Sequence, residues 1–153
     1  MIWVLLVVYQ LKHFLADFPL QTPYMLGKFR DRGWIKPLLA HVGVHGGFTF
    51  AIALYFTHRL DMAWGLMLFD ATVHFIMDRL KAGRMFLGRY KALSAIEFTD
   101  VREDLESKDK LRRFVAKQHL RGNTLFWWAL GLDQGVHHLT HYTCIFAILR
   151  HLP

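Results

Sequence analysis

Four pairs of metal-ligand residues, each spaced by four positions, constrain this chain more than any other feature. On an α-helix, residues i and i+4 lie above one another on one face, so each pair presents two imidazole or carboxylate groups in one direction. Each pair lies in or beside an apolar run, where such groups are costly unless they are paired, hydrogen-bonded or bound to metal. The pairs are His13 and Asp17, His41 and His45, His74 and Asp78, and Asp133 and His137. Together they predict one shared polar site inside a helical bundle.

The composition indicates a membrane protein. Of the 153 residues, 54% are hydrophobic and 15% are aromatic, which exceeds the apolar share of typical soluble domains. The formal net charge of +7 is better explained by anionic lipid headgroups facing basic loops than by nucleic acid. Cys144 is the only cysteine, which excludes an intrachain disulfide and a cysteine metal cluster.

The pattern of apolar runs and helix breakers predicts an all-α, polytopic membrane protein that forms a single domain over residues 1–153. We expect four transmembrane helices at about 1–20, 37–57, 62–80 and 124–150. A charged cytoplasmic segment at about 81–122, which forms amphipathic helix, lies between the third and the fourth. Pro19 ends the first helix, Pro37 begins the second, and Asn123 or Thr124 caps the fourth. The first helix is expected to be retained because no basic region precedes it and no small-residue cleavage site follows it. The predicted second helix also contains three glycines that would let helices approach closely: Gly43, Gly46 and Gly47.

The distribution of positive charge predicts the orientation. With four spans, the loops after helices one and three lie on the same side, and they hold most of the Lys and Arg residues. The positive-inside rule makes that side cytoplasmic, with both termini on the periplasmic side. All four ligand pairs then lie near the cytoplasmic interface.

Eight candidate ligands suit two metal ions with bridging carboxylates better than one tetrahedral ion. Mixed imidazole and carboxylate ligands favour Zn²⁺, with Fe or Mn²⁺ as alternatives. Asp70 shares a face with His74 and is a candidate to orient its imidazole. Four further residues are candidates to support the site or contact substrate: Gln21, Gln134, His138 and His141. His58, His119 and His151 are interpreted as packing residues, and a hydrogen-bond network without metal is the alternative for the whole cluster.

The segments that carry these pairs resemble a known but uncharacterised family. They are residues 13–22 (HFLADFPLQT), 41–45 (HVGVH), 74–81 (HFIMDRLK) and 133–137 (DQGVH). They are similar to small four-helix membrane proteins of bacteria and phages, which are distantly similar to inner-membrane proteins labelled metal-dependent hydrolases. The resemblance implies a location in the bacterial inner membrane.

These observations favour a membrane-embedded, metal-dependent hydrolase that acts on a lipid-like or amphiphilic ester at the cytoplasmic interface. Asp133 is the expected general base, and Lys81 the expected group that stabilises developing negative charge. Two other classes of protein stay open: an accessory subunit of a larger membrane complex, held by partner helices, and a metal or proton transporter.

Overall fold

A computed structural model describes all residues from 1 to 153. The chain forms five α-helices and no strand: α1 (Ile2–Asp17), α2 (Ile35–Thr57), α3 (Leu60–Ala82), α4 (Ala95–Glu106) and α5 (Lys110–Arg150). Two short 3₁₀ helices, Met25–Phe29 and Leu87–Arg89, lie in the connections after α1 and α3. The predicted all-α class is confirmed.

Local chemistry accounts for most helix boundaries. Pro19 follows the end of α1 directly, and Pro37 occupies the first turn of α2, where the missing N–H has no helical partner to lose. The α2–α3 turn is tight because His58 adopts a left-handed conformation with φ of 52°. The side chain of Ser94 accepts a hydrogen bond from the backbone N–H of Glu97, whose side chain bonds back to Ser94, and this capping box begins α4. That backbone hydrogen bond from Ser94 holds the pKa of Glu97 below its usual value.

The predicted start of the fourth helix, at about residue 124, is wrong. α5 begins after Asp109, whose side chain accepts a hydrogen bond from the N–H of Leu111, and continues for 41 residues. Asn123 and Thr124 therefore lie inside the helix and do not cap it. Asn123 instead accepts a hydrogen bond from the N–H of Leu93, and the first part of α5 packs against α4 as a helical hairpin. At 1.5 Å per residue α5 is about 60 Å long, so only part of it can lie within one bilayer.

α2 and α3 form the most closely packed pair in the fold. A Cβ atom on Gly46 would lie 3.2 Å from the Cγ of Met67 and 3.5 Å from the Cβ of Ala71, so this glycine permits the close approach. The same prediction for Gly43 and Gly47 is wrong, because no neighbouring helix lies within 4 Å of either position.

Two helices have the length and apolar composition needed to cross a membrane. These candidate spans are Ile35–Thr57 and Leu60–Arg89. α1 has 16 residues, fewer than the roughly 20 that span hydrocarbon unless the bilayer thins locally. Length and composition thus support two of the four predicted spans.

The bundle of α1, α2, α3 and the second half of α5 has an apolar end and a polar end. The apolar end is a cluster of eight buried residues: Leu5, Tyr9, Ile52, Ala53, Ala63, Cys144, Ile145 and Ile148. They come from the first half of α1, the end of α2, the start of α3 and the end of α5. The other end of the same helices holds the residues of the predicted site.

Candidate metal centre

The eight predicted ligands face the interior of the bundle and form one continuous cluster. Seven of them are buried, and the Asp17 side chain is 22% exposed. The imidazoles of His74 and His137 stack with their centroids 4.1 Å apart, and His45 lies at the same distance from His74 on the other side. The (i, i+4) spacing thus places the side chains of four helices within contact of one another.

The potential ligand atoms fall into three groups, and within each group all atoms lie within 4.8 Å of one another. The groups are Asp17 with His41 and His45; Asp78 with Asp133 and His137; and His13 with His74 and His141. Each group combines residues from at least two helices. By distance alone each group could hold a metal ion, and the hydrogen bonds of the individual residues distinguish among the three.

Asp17 is the carboxylate most surrounded by imidazole. Its Oδ1 lies 3.1 Å from Nε2 of His45 and 3.3 Å from Nε2 of His41, and its Oδ2 lies 3.2 Å from Nε2 of His13. Zinc bonds of 2.0–2.1 Å place neighbouring ligands of a tetrahedron about 3.3 Å apart. The distances from Asp17 to the three imidazole nitrogens are therefore in the range expected for ligands of one ion.

The contacts of His41 help to distinguish a metal site from a hydrogen-bond network without metal. Its Nε2 lies 3.3 Å from Oδ1 of Asp17 and 3.2 Å from Oδ2 of Asp78. Nε2 of His41 makes no hydrogen bond of good geometry to either oxygen. With the ring proton on Nδ1, the lone pair of Nε2 faces both carboxylates and is suited to coordinate a cation that they share.

Unpartnered imidazole nitrogens extend through the whole cluster. Both ring nitrogens of His137 and Nε2 of His74 are buried without a protein hydrogen bond, and so are the Nδ1 atoms of His13, His45 and His141. Leaving such an atom unsatisfied costs about 1–3 kcal/mol. Because buried polar atoms in proteins are usually paired, most of these nitrogens are potential ligand atoms for a metal.

Three of the four carboxylates around the cluster are paired with lysine. Nζ of Lys12 lies 2.7 Å from Asp70, Nζ of Lys28 lies 2.9 Å from Asp78, and Nζ of Lys81 lies 2.5 Å from Asp133. Asp17 has no lysine partner. With neutral imidazoles, four carboxylates and three ammonium groups leave one net negative charge, which a divalent cation would reverse.

Asp70 lies behind His74 and orients it. Nδ1 of His74 lies 3.2 Å from Oδ1 of Asp70 and donates to the Asp70 backbone carbonyl at 3.1 Å. This leaves Nε2 as the ring's free ligand atom. Oδ2 of Asp70 accepts hydrogen bonds from Lys12 and, at 2.6 Å, from Thr49. A backbone carbonyl that accepts from the second ring nitrogen is one of the ways in which the tautomer of a ligand histidine is fixed in metal sites.

His141 bonds to Lys12 and is not a free metal ligand. Its Nε2 lies 3.2 Å from Nζ of Lys12. Because an ammonium group can only donate, this nitrogen accepts and the ring proton lies on Nδ1. A ring with one nitrogen accepting and the other protonated has no free lone pair for a metal. His141 therefore connects Lys12 to the cluster.

The remaining candidates divide between the site and the surface. Oε1 of Gln134 contacts Nε2 of His13 at 3.2 Å, and Gln21 lines a cleft beside the cluster. His138 is half-buried and bonds to Gln10. His58, His119 and His151 lie on the surface outside the cluster.

Sequence analysis named Lys81 as a site residue but did not predict its pairing with Asp133, and it did not name Lys12 or Lys28. Lys28 is buried on a 3₁₀ helix against α3. The pairs with Asp70, Asp78 and Asp133 join residues 58, 50 and 52 positions apart, so no local pattern could reveal them. The one available signal was Lys12, a lysine inside an apolar helix and next to a predicted ligand.

Fold and site together define a helical bundle with a buried histidine–aspartate centre. A family profile described as "Protein of unknown function (DUF3307)" matches residues 5–151. The chain therefore belongs to the DUF3307 family, and the match includes all eight predicted ligands. No curated protein and no solved structure matches the chain.

Proposed function

We propose that this protein is a membrane-embedded, metal-dependent hydrolase of an amphiphilic ester. The observation that carries the proposal is a cleft of about 450 Å³ beside the cluster, lined by Asp17 and Asp78 from the metal groups and by Lys28 and Lys81. A centre that only stabilised the fold would need no open approach. Here carboxylates of the centre and ammonium groups share one accessible space.

Exposed apolar surface supports a membrane location. Only 39% and 22% of the residues in the apolar stretches of α2 and α3 are buried within the fold, whereas a core helix of a soluble protein would be mostly buried. Tyr55, Trp64 and Leu68 are all at least half exposed, as expected for side chains that contact lipid. We propose that α1 and the second half of α5 complete a four-span bundle in a bacterial inner membrane.

The orientation follows from the charged segments. The ends of the helices that carry the site adjoin the basic connections after α1 and α3, which we place on the cytoplasmic side with the α4–α5 hairpin. Both termini are then periplasmic. Anionic headgroups would contact the exposed Lys and Arg residues of these connections.

The metal is proposed to be zinc, as one or two ions, with Fe or Mn as alternatives. The first ion is assigned to Asp17, His41 and His45, because Asp17 is the carboxylate without a compensating lysine. A second ion would need Asp78 and Asp133 to share their charge with Lys28 and Lys81. A bound divalent ion supplies Lewis-acid chemistry and lowers the pKa of water to near neutrality.

We propose that Asp133 transfers the protons of the reaction and that Lys81 stabilises the developing negative charge. Oδ2 of Asp133 accepts from Lys81 and from Gln134 at 3.0 Å, while Oδ1 has no partner among protein atoms. Oδ1 takes a proton from the attacking water, whose oxygen bonds to the phosphorus or carbonyl carbon as the bond to the leaving oxygen breaks. Lys81, one-third exposed, donates to the oxygen that gains charge, and Asp133 returns the proton to the leaving group.

The apolar end of the bundle argues against transport. A transporter needs polar groups through the membrane depth, but the end away from the site is closed by the eight-residue apolar cluster. An accessory subunit stays as the rival and predicts a site without turnover.

Turnover with matched variants tests the proposal. The zinc-loaded full chain in nonionic detergent should hydrolyse p-nitrophenyl phosphate or p-nitrophenyl decanoate, and chelation should abolish the rate. Asp133→Asn should lower turnover per bound metal by about 100-fold or more, while Asp100→Asn on exposed α4 should not. If metal-loaded protein hydrolyses neither ester, or if Asp133→Asn keeps the full rate, the hydrolase proposal is wrong.

A further inference from the structure

The cleft beside the metal centre is the first part of a longer track. A second cleft of about 400 Å³ shares Phe29, Lys81 and Leu130 with it. A third, of about 760 Å³, shares Leu87 and further residues with the second. Neighbouring clefts share lining residues and therefore adjoin one another, which is the arrangement that one elongated molecule would need.

The chemistry of the track changes along its length. Only three of the nine residues that line the first cleft are hydrophobic, compared with seven of ten in the second and nine of ten in the third. The far end is bordered by Met85 and Trp128, which are 89% and 73% exposed. A charged head and an apolar chain would each meet a matching surface.

The charged end favours a dianion. Lys28 and Lys81 both line the first cleft, and each also pairs with a carboxylate beside the metal groups. When Asp78 and Asp133 share their charge with a divalent cation, the two ammonium groups become available to another anion. One or two divalent ions would leave the cluster with one or three net positive charges, which a phosphate monoester dianion offsets better than a neutral ester does.

We propose that this track binds a single-chain lipid phosphate lengthwise, with the phosphate between Lys28 and Lys81 and the chain along the apolar clefts. The proposal names the substrate class of the same site and rests on the proposed function for the metal. Ala129 lines both apolar clefts, so in this proposal the chain passes beside it.

The experiment measures how much the phosphate head and the alkyl chain each contribute to binding, independently of any hydrolysis. Zinc-loaded full-length protein in nonionic detergent is titrated with dodecylphosphonate, methylphosphonate and dodecanol, and bound ligand is counted by native mass spectrometry. The C–P bond prevents hydrolysis, so binding is measured whether or not the protein is a hydrolase. Dodecylphosphonate should bind at least tenfold more tightly than either partial ligand.

Five variants show which residues provide the tighter binding of dodecylphosphonate. Lys28→Gln combined with Lys81→Gln should weaken both phosphonates at least tenfold, whereas Lys36→Gln, on the exposed start of α2, should not. Ala129→Phe should weaken dodecylphosphonate binding to the level of methylphosphonate and leave methylphosphonate binding unchanged. Leu139→Phe, on the exposed face of α5, should leave the binding of both phosphonates unchanged. Trp128→Ser, at an exposed position, gives a milder test of the chain path if Ala129→Phe does not fold.

Equal binding of the two phosphonates, or a chain gain that survives both Ala129→Phe and Trp128→Ser, would overturn the track. Chain-dependent phosphonate binding without any ester hydrolysis would instead reject the hydrolase proposal and keep the track. Hydrolysis of p-nitrophenyl phosphate without tighter binding of the long-chain phosphonate would reject the track and keep the hydrolase proposal.

Discussion

The two ends of the bundle use the same four helices with opposite results. At one end, residues such as Leu5, Ala63 and Ile148 are fully buried and form an ordinary apolar core. At the other end, the same inward faces carry histidine, aspartate and lysine, and several of their atoms have no protein partner. Most of the buried polar atoms without a protein partner lie at the polar end, whereas the apolar cluster has one, Oη of Tyr9. The two ends should therefore respond differently to mutation and to metal.

The largest expected effect is removal of a buried ammonium at the polar end. Lys12→Met leaves Asp70 fully buried without its cation and should destabilise the protein by about 3–5 kcal/mol. Adding Asp70→Asn removes the uncompensated charge and should recover much of the loss. Reversible unfolding in mixed micelles measures both variants. A Lys12→Met protein as stable as wild type would show that the Lys12–Asp70 pair does not contribute.

A smaller effect is expected at the apolar end. Leu5→Ala leaves a cavity in the eight-residue cluster and should cost about 2 kcal/mol, near the lower end for such changes because the unfolded chain also stays in an apolar solvent. The loss should be the same with and without zinc. A loss that zinc reverses would mean that the two ends are coupled, contrary to the comparison drawn above.

How far the sequence predicts this structure also differs between the two ends. The (i, i+4) pairs identify the inward faces of four helices, because a helix repeats side-chain direction at that spacing. The partners of Asp70, Asp78 and Asp133 come from distant parts of the chain, so they depend on how the helices pack. The start of α5 was missed because Gly122, Asn123 and Thr124 have weak helix propensity, and packing against α4 outweighs that preference.

The smallest predicted effect lies outside the bundle. Ser94→Ala removes the hydrogen bond to the Glu97 N–H that begins α4 and should cost about 1 kcal/mol of local helix stability. Because the pKa of Glu97 is lowered in the folded chain, its contribution should be present above the ordinary carboxyl pKa and be lost as the pH falls through the lowered value. Hydrogen exchange of α4 amides measures both changes, while zinc content should stay constant. Slower exchange in the variant, or a change in zinc content, would contradict this local role.

Metal content tests the central claim most directly. Elemental analysis of the purified full chain should give one or two transition-metal ions per molecule, with zinc the predicted element. His41→Ala combined with His45→Ala should lower the metal content by about one ion per molecule, because it removes two ligands of the Asp17 group. His119→Ala combined with His151→Ala, two exposed histidines outside the cluster, should leave it unchanged. Folded wild-type protein that takes up no metal even when zinc is supplied, or a His41 and His45 variant that keeps full metal content, would contradict the account.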